Sequence, residues 1–142
     1  MKESLKPGLT YSYTCSVSKT MTVPHLYPEA EELQVMPEVF ATGYLVGLLE
    51  LTCIKAIRPY LDWPLEQTVG IHIDMSHLAA TPPGLEVTTT VELIKVEGKK
   101  LTFTVKAEDG VDLICKGRHV RFVINKEKFD LKVAEKKKNA LE

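Results

Sequence analysis

The chain has 142 residues, with 18 Lys and Arg against 19 Asp and Glu, for a formal net charge of −1. That length predicts one domain and excludes two stacked ones, and a charge near zero excludes the basic excess of a nucleic-acid binder. A hydrophobic share of 44% with 26% charged residues is globular, and no uncharged apolar run is long enough for a membrane span or signal-peptide core, so a cytoplasmic protein is expected.

Residues 10–18 alternate, Tyr11, Tyr13, Cys15 and Val17 against Ser12, Thr14, Ser16 and Ser18, which predicts a half-buried strand. Residues 20–37 lose the pattern around Pro24, Pro28, Leu33 and Met36 and read as an irregular excursion long enough to act as a lid. Residues 37–58 read as one helix: Pro37 suits a first turn, Glu38 and Lys55 suit the two ends of the dipole, and Pro59 stops it. Phe40, Tyr44, Leu45, Leu48, Leu49, Leu51, Ile54 and Ile57 leave it little polar face, so it should be buried.

Four strands follow. In the first, Val69, Ile71, Ile73, Met75 and His77 share one parity, opposite Gly70, His72, Asp74 and Ser76. In the second, Leu85, Val87, Thr89, Val91 and Leu93 face inward. Gly98 turns the chain into a third, with Leu101, Phe103, Val105 and Ala107 inward, and Asp109-Gly110 makes another tight turn. The last, about residues 111–124, changes from Val111, Leu113 and Cys115 to Val120, Phe122 and Ile124, which predicts a bulge near Gly117. The fold class is therefore α+β: a hot-dog fold, with an antiparallel β-sheet wrapped around one long central helix, over residues 1–130. Residues 131–142, with Lys136, Lys137 and Lys138, should form a charged helix end or tail.

Two residues stand out against this frame. Glu50 lies mid-helix among leucines, where an ionised carboxylate is costly unless paired. His77 lies on the strand face expected to look toward that helix, so the two read as an acid/base pair or as satisfied core groups. Thr42 precedes Gly43 and Gly47, and reads either as functional or as a helical threonine bonded to backbone, with glycines admitting close packing against the sheet. Eight residues separate Thr42 from Glu50, ~12 Å of rise and roughly 80° of rotation in a straight helix. A shared site then needs an irregular helix, a bridging ligand or two subunits. Cys15, Cys53 and Cys115 have no CxxC spacing and should be reduced, the four histidines lack metal spacing, and nucleophile-elbow, dinucleotide and phosphate-loop motifs are absent.

Several separated blocks, HLYPE at 25–29, PEVFATGYLVGLLE at 37–50, HLAATPPGL at 77–85, VEGKKL at 96–101, DGVDLI at 109–114 and EKF at 127–129, resemble the fluoroacetyl-CoA thioesterase family of hot-dog proteins. The resemblance spans roughly residues 5–130, with an insertion within 62–68. It implies hydrolysis of an acyl-CoA to the acid and CoA, with a catalytic Thr, Glu and His falling on Thr42, Glu50 and His77. It further implies a substrate-binding set of Leu33, Met36, Phe40, Gly70 and Arg121, no cofactor besides the CoA of the substrate, and a homodimer joined edge to edge. Leu33 and Met36 stand where the fluoroacetyl-specific member has lid phenylalanines, so another short acyl group is an open substrate. Lys95, Lys99, Lys100, Arg118 and the C-terminal lysines are candidates for the CoA phosphates. A non-catalytic acyl-CoA-binding protein and an enoyl-CoA hydratase-like enzyme are the competing readings.

Overall fold

The computed structural model describes residues 1–142. Its elements are β1 (Thr10–Ser16), α1 (Glu31–Gln34), α2 (Thr42–Ile57), β2 (Glu66–His77), β3 (Glu86–Glu97), β4 (Lys100–Glu108), β5 (Leu113–Asn125) and α3 (Lys126–Leu141), with short 3-10 turns at 19–21 and 23–25 before α1 and at 58–60 after α2. The strands form one antiparallel sheet in the order β1-β3-β4-β5-β2, so β2 is an edge strand paired only with β5. Val87, Val91 and Leu93 of β3 and Leu101, Phe103, Val105 and Ala107 of β4 form the core with Leu45, Leu49, Cys53, Ala56 and Ile57 of α2. The turns at Gly98 and Gly110 have φ of 61° and 86°, where a side chain would be strained.

The long helix begins at Thr42 rather than at residue 37. The backbone just before it is already engaged: Val23 N–H donates to Val39 O at 3.0 Å, Ala41 N–H to Met21 O at 3.0 Å, and Phe40 N–H to Thr81 O at 2.8 Å. Phe40 bridges to Thr22 and Ala41 is extended, so the backbone turns helical only at Thr42. One stripe of α2 packs on the sheet. Thr52 and Thr89 join their hydroxyls at 2.6 Å in the core, while Tyr44 and Leu51 remain exposed. The helix is therefore covered on one face only within a single chain.

Two strands depart from the expected alternation. On β5, Cys115, Gly117, His119, Arg121 and Val123 keep one inward parity, and the irregularity lies at Ile114, not near Gly117. Gly117 instead permits close strand approach: a Cβ there would lie 2.1 Å from Asp74 O and 2.5 Å from Met75 Cα. On β2 the register shifts between Gly70 and His72, so Ile71 is a bulge. Gly70 consequently turns inward beside Arg121, and Val69 no longer shares the face of His77. α3 starts at Lys126, with Asn125 Oδ1 accepting from Lys128 N–H at 3.0 Å, so the C-terminal helix begins ahead of residue 131.

A buried polar knot fixes the start of α2. Asp109 Oδ1 accepts from Val111 and Asp112 N–H at 3.0 and 2.8 Å, and Oδ2 from Thr81 Oγ1 at 2.8 Å. Through its carbonyl, Thr81 then holds Phe40. The Asp112 backbone bond, with Thr81 and Val111 adding to it, holds the Asp109 carboxyl below the ordinary value of 3.8. Since its folded pKa is depressed, the carboxylate contributes stability that is full above the ordinary value and lost as pH falls through the folded one. Asp109→Ala should lose about 1–3 kcal/mol in urea unfolding at neutral pH, and the difference from wild type should shrink below about pH 4. Equal stability at neutral pH would contradict the knot. Gly117→Ala should cost more than a typical surface change, about 1–3 kcal/mol, because strand backbone must move.

Candidate active site

The first residue of α2 lies against the last residue of β2. Thr42 Oγ1 is 2.8 Å from His77 Nδ1, so Thr42 bonds a side chain across the fold rather than its own helix. His77 Nε2 is buried with no hydrogen-bond partner. Burial pushes the imidazole below its ordinary 6.5, with the Ala79 backbone opposing, so the ring is neutral at pH 7. Val23, Val39, Phe40, Leu78, Ala79 and Ala80 complete a cavity of about 390 Å³ around the pair. First-turn amides of a helix have no intrahelical partner and carry the positive end of its dipole, so this end of α2 favours developing negative charge.

Glu50 stands two turns further along. Its side chain is 40% exposed and accepts from Arg121 Nη1 at 3.0 Å, so the carboxylate expected to be buried is half-exposed, and it has the partner that such a position requires. Arg121 itself is only 4% exposed. Its Nε donates to Thr68 Oγ1 and its Nη2 to Thr68 O, each at 2.8 Å, and Nη1 also reaches His119 Nε2 at 3.1 Å. His119 Nδ1 is 2.7 Å from His72 O. A carbonyl only accepts, so Nδ1 carries the proton and Nε2 offers its lone pair to Arg121. Burial first, and the Arg121 charge with it, push His119 below 6.5 against the His72 carbonyl, in keeping with a neutral ring.

Gly70 completes this group. A Cβ on it would meet Glu50 Oε1 at 2.6 Å, His119 Cε1 at 3.2 Å and Arg121 Nη1 at 3.3 Å, so only glycine admits the carboxylate here. Val46, Ile71, His72 and Ile73 join Glu50, Gly70 and His119 around a cavity of about 420 Å³.

The expected residues thus fall into two groups. Thr42 meets His77, with Phe40 lining the same cavity, while Glu50 meets Arg121 and Gly70, and the expected Glu50–His77 pair is not formed within one chain. Leu33 is half-buried and Met36 48% exposed, and neither lines these two cavities, whereas Val23 and Val39 do. His119 and Thr68 are polar partners that the strand pattern alone did not reveal. Two polar residues at i and i+2 on β5, His119 and Arg121, were the available signal, masked by Val120, Phe122 and Ile124.

Residues 16–127 match the family of the fluoroacetyl-CoA-specific thioesterase FlK. The fluoroacetyl-CoA thioesterase of Streptantibioticus cattleyicolor is 49% identical over 136 residues, covering 96% of this chain and 97% of that protein. A crystal structure of a substituted FlK in complex with fluoroacetate and CoA superposes with a TM-score of 0.85 at 50% identity, covering 88% of this chain and 99% of the other. A hot-dog-like protein from Thermanaerovibrio acidaminovorans, 22% identical over 92% of this chain and 91% of its own, has a TM-score of 0.77 and shares the fold. On this match across most of its length, the chain belongs to the fluoroacetyl-CoA-specific thioesterase family.

Proposed function

We propose that this chain hydrolyses a short acyl-CoA to the free acid and CoA, with Thr42, His77 and Glu50 as its reacting groups. The Thr42–His77 bond at the mouth of a small apolar cavity carries the reading. Thr42 hydrogen-bonds the acyl group beside the positive end of α2. Glu50, paired with and oriented by Arg121, attacks the thioester carbonyl or draws a proton from the attacking water, and the C–S bond breaks as the tetrahedral carbon collapses. His77, neutral at rest, takes up the proton that Glu50 draws from the water and passes it to the departing CoA sulfur, while water's second proton leaves with the acid. On the direct-attack route water then opens the mixed anhydride and frees Glu50, and on either route the sum is thioester plus water giving acid plus thiol.

The separation of the two groups supports a site completed across a homodimer. α2 is regular from Thr42 to Ile57, so ~12 Å of rise stands between Thr42 and Glu50. β2 is a 12-residue edge strand with one side unpaired, and Ile71 and Ile73 are exposed on it. Such an edge invites pairing. Antiparallel pairing of two β2 strands about a two-fold axis would bring the His77 end of one strand to the Gly70 end of the other. Thr42 and His77 of one protomer then face Glu50, Gly70 and Arg121 of its partner. A cytoplasmic setting and a CoA moiety resting on local lysines accompany this reading; no helix is long and apolar enough to cross a membrane.

On a panel of short acyl-CoA substrates followed by thiol release, Glu50→Ala should lower kcat by about 10²–10⁴-fold. Turnover undiminished in the variant, or absent from the wild type across the panel, would refute the assignment. Because His77 works neutral and burial lowers its pKa, the acid limb of kcat/KM should lie below 6.5 and disappear in His77→Gln. Re-associated mixtures of Thr42→Ala and Glu50→Ala, each inactive alone, should regain about a quarter of wild-type activity if each site draws on both subunits. No recovery would place both groups of a site in one chain.

A further inference from the structure

We propose that the Phe40 ring sets the acyl-chain length this protein accepts, by closing off a second apolar cavity behind the site; the proposal rests on the thioesterase reading above. The second cavity, about 510 Å³, lies between α2 and β1 and is lined by Tyr13, Met21, Leu26, Tyr44, Leu48 and Leu51 among others. Its size falls in the range of ordinary ligand pockets, and its lining suits hydrocarbon rather than the polar CoA moiety. Phe40 is the single residue that lines both this space and the cavity holding Thr42 and His77.

The ring cannot readily swing aside. Phe40 is 1% exposed, its N–H is held by Thr81 O at 2.8 Å, and Ala41 N–H is held by Met21 O at 3.0 Å. Behind it, Gly43 and Gly47 form part of the cavity wall. The expectation that they admit close packing against the sheet is not met: a Cβ on Gly47 would touch nothing within 4 Å, and one on Gly43 would meet Leu26 at 3.5 Å. Glycine weakens a helix interior relative to alanine, and no contact at Gly47 requires it. Its missing side chain leaves the space open. A thioester seated at Thr42 and His77 therefore has room for a short acyl group before the ring, with unused apolar volume beyond.

The test compares kcat/KM for acetyl-, butanoyl- and hexanoyl-CoA in wild type, Phe40→Leu and Phe40→Ala, each with and without Gly47→Leu, after circular dichroism has confirmed folding. Each further buried methylene is worth about fourfold, so the hexanoyl-to-acetyl ratio should rise by at least about tenfold when the ring is shortened. Gly47→Leu should refill the cavity and reverse most of that gain, while leaving acetyl-CoA turnover unchanged in an otherwise wild-type chain. Phe40→Leu retains an apolar core residue and decides the matter if Phe40→Ala does not fold. An unchanged ratio in a folded variant, a gain that survives Gly47→Leu, or wild-type turnover of hexanoyl-CoA equal to that of acetyl-CoA would overturn the proposal. Those outcomes leave the thioesterase reading standing. A wild type inactive on every substrate removes that reading and this one together.

Discussion

The burial of the Arg121 guanidinium is the constraint around which the site is built. A charge only 4% exposed is unfavourable unless its donors are satisfied, and β2, β5 and α2 each contribute a partner. Thr68 takes two N–H groups through its hydroxyl and its carbonyl, His119 takes another with a lone pair, and Glu50 supplies the opposite charge. His119 can accept only because the His72 carbonyl fixes its proton on Nδ1. That carbonyl lies next to the Ile71 bulge. The bulge also turns Gly70 inward, where its missing Cβ leaves room for Glu50. One irregularity in an edge strand thus orients the arginine, the carboxylate and the neutral histidine together.

The other end of β2 is assembled by different means. His77 is brought to Thr42 because α2 starts late, and α2 starts late because Phe40 and Ala41 are bonded to Thr81 and Met21. Asp109, four elements away in sequence order, anchors Thr81. The site's geometry therefore depends on a buried turn that touches no reacting group. A change there would alter the position of the first turn of α2 before it altered the chemistry.

Much of this was readable from the residues. Alternation in β3 and β4 identified the core face, Gly98 and Asp109-Gly110 marked the turns, and the single long apolar helix flanked by strands indicated the fold. Glu50 and His77 stand out as residue types poorly suited to an idle core, while Thr42 alone reads equally as a helical threonine bonded to backbone. What escaped was parity. A bulge adds one residue without a composition marker, and Val69 and Ile71 continued the apolar alternation straight through it. On β5 the apolar Val120, Phe122 and Ile124 masked the true inward set, whose polar members are tolerated only because they satisfy one another. Pairings of that kind are three-dimensional facts, since Thr68 and Arg121 are 53 residues apart. The helix start is hidden from the sequence for a similar reason: Pro37 suits a first turn locally, but tertiary hydrogen bonds claim the backbone between it and Thr42.

The contrast between the two half-sites follows from their electrostatics. Around Thr42 the groups are neutral: a hydroxyl, an imidazole kept uncharged by burial, and small apolar walls. On the proposed mechanism such surroundings would accept an uncharged thioester without desolvating a fixed ion, and the dipole of α2 would act on the oxygen only as it gains charge. Around Glu50 the charge is already present and balanced by Arg121, so the carboxylate is positioned without relying on its neighbours at the acyl end. Within one chain these environments stand two helical turns apart. Bringing them together across a two-fold axis would let the reaction, rather than the resting fold, make the contact. An edge strand with one paired side is the element best suited to that task, because its open side would be free to meet a second copy while its closed side holds Gly70, His119 and Arg121 in place.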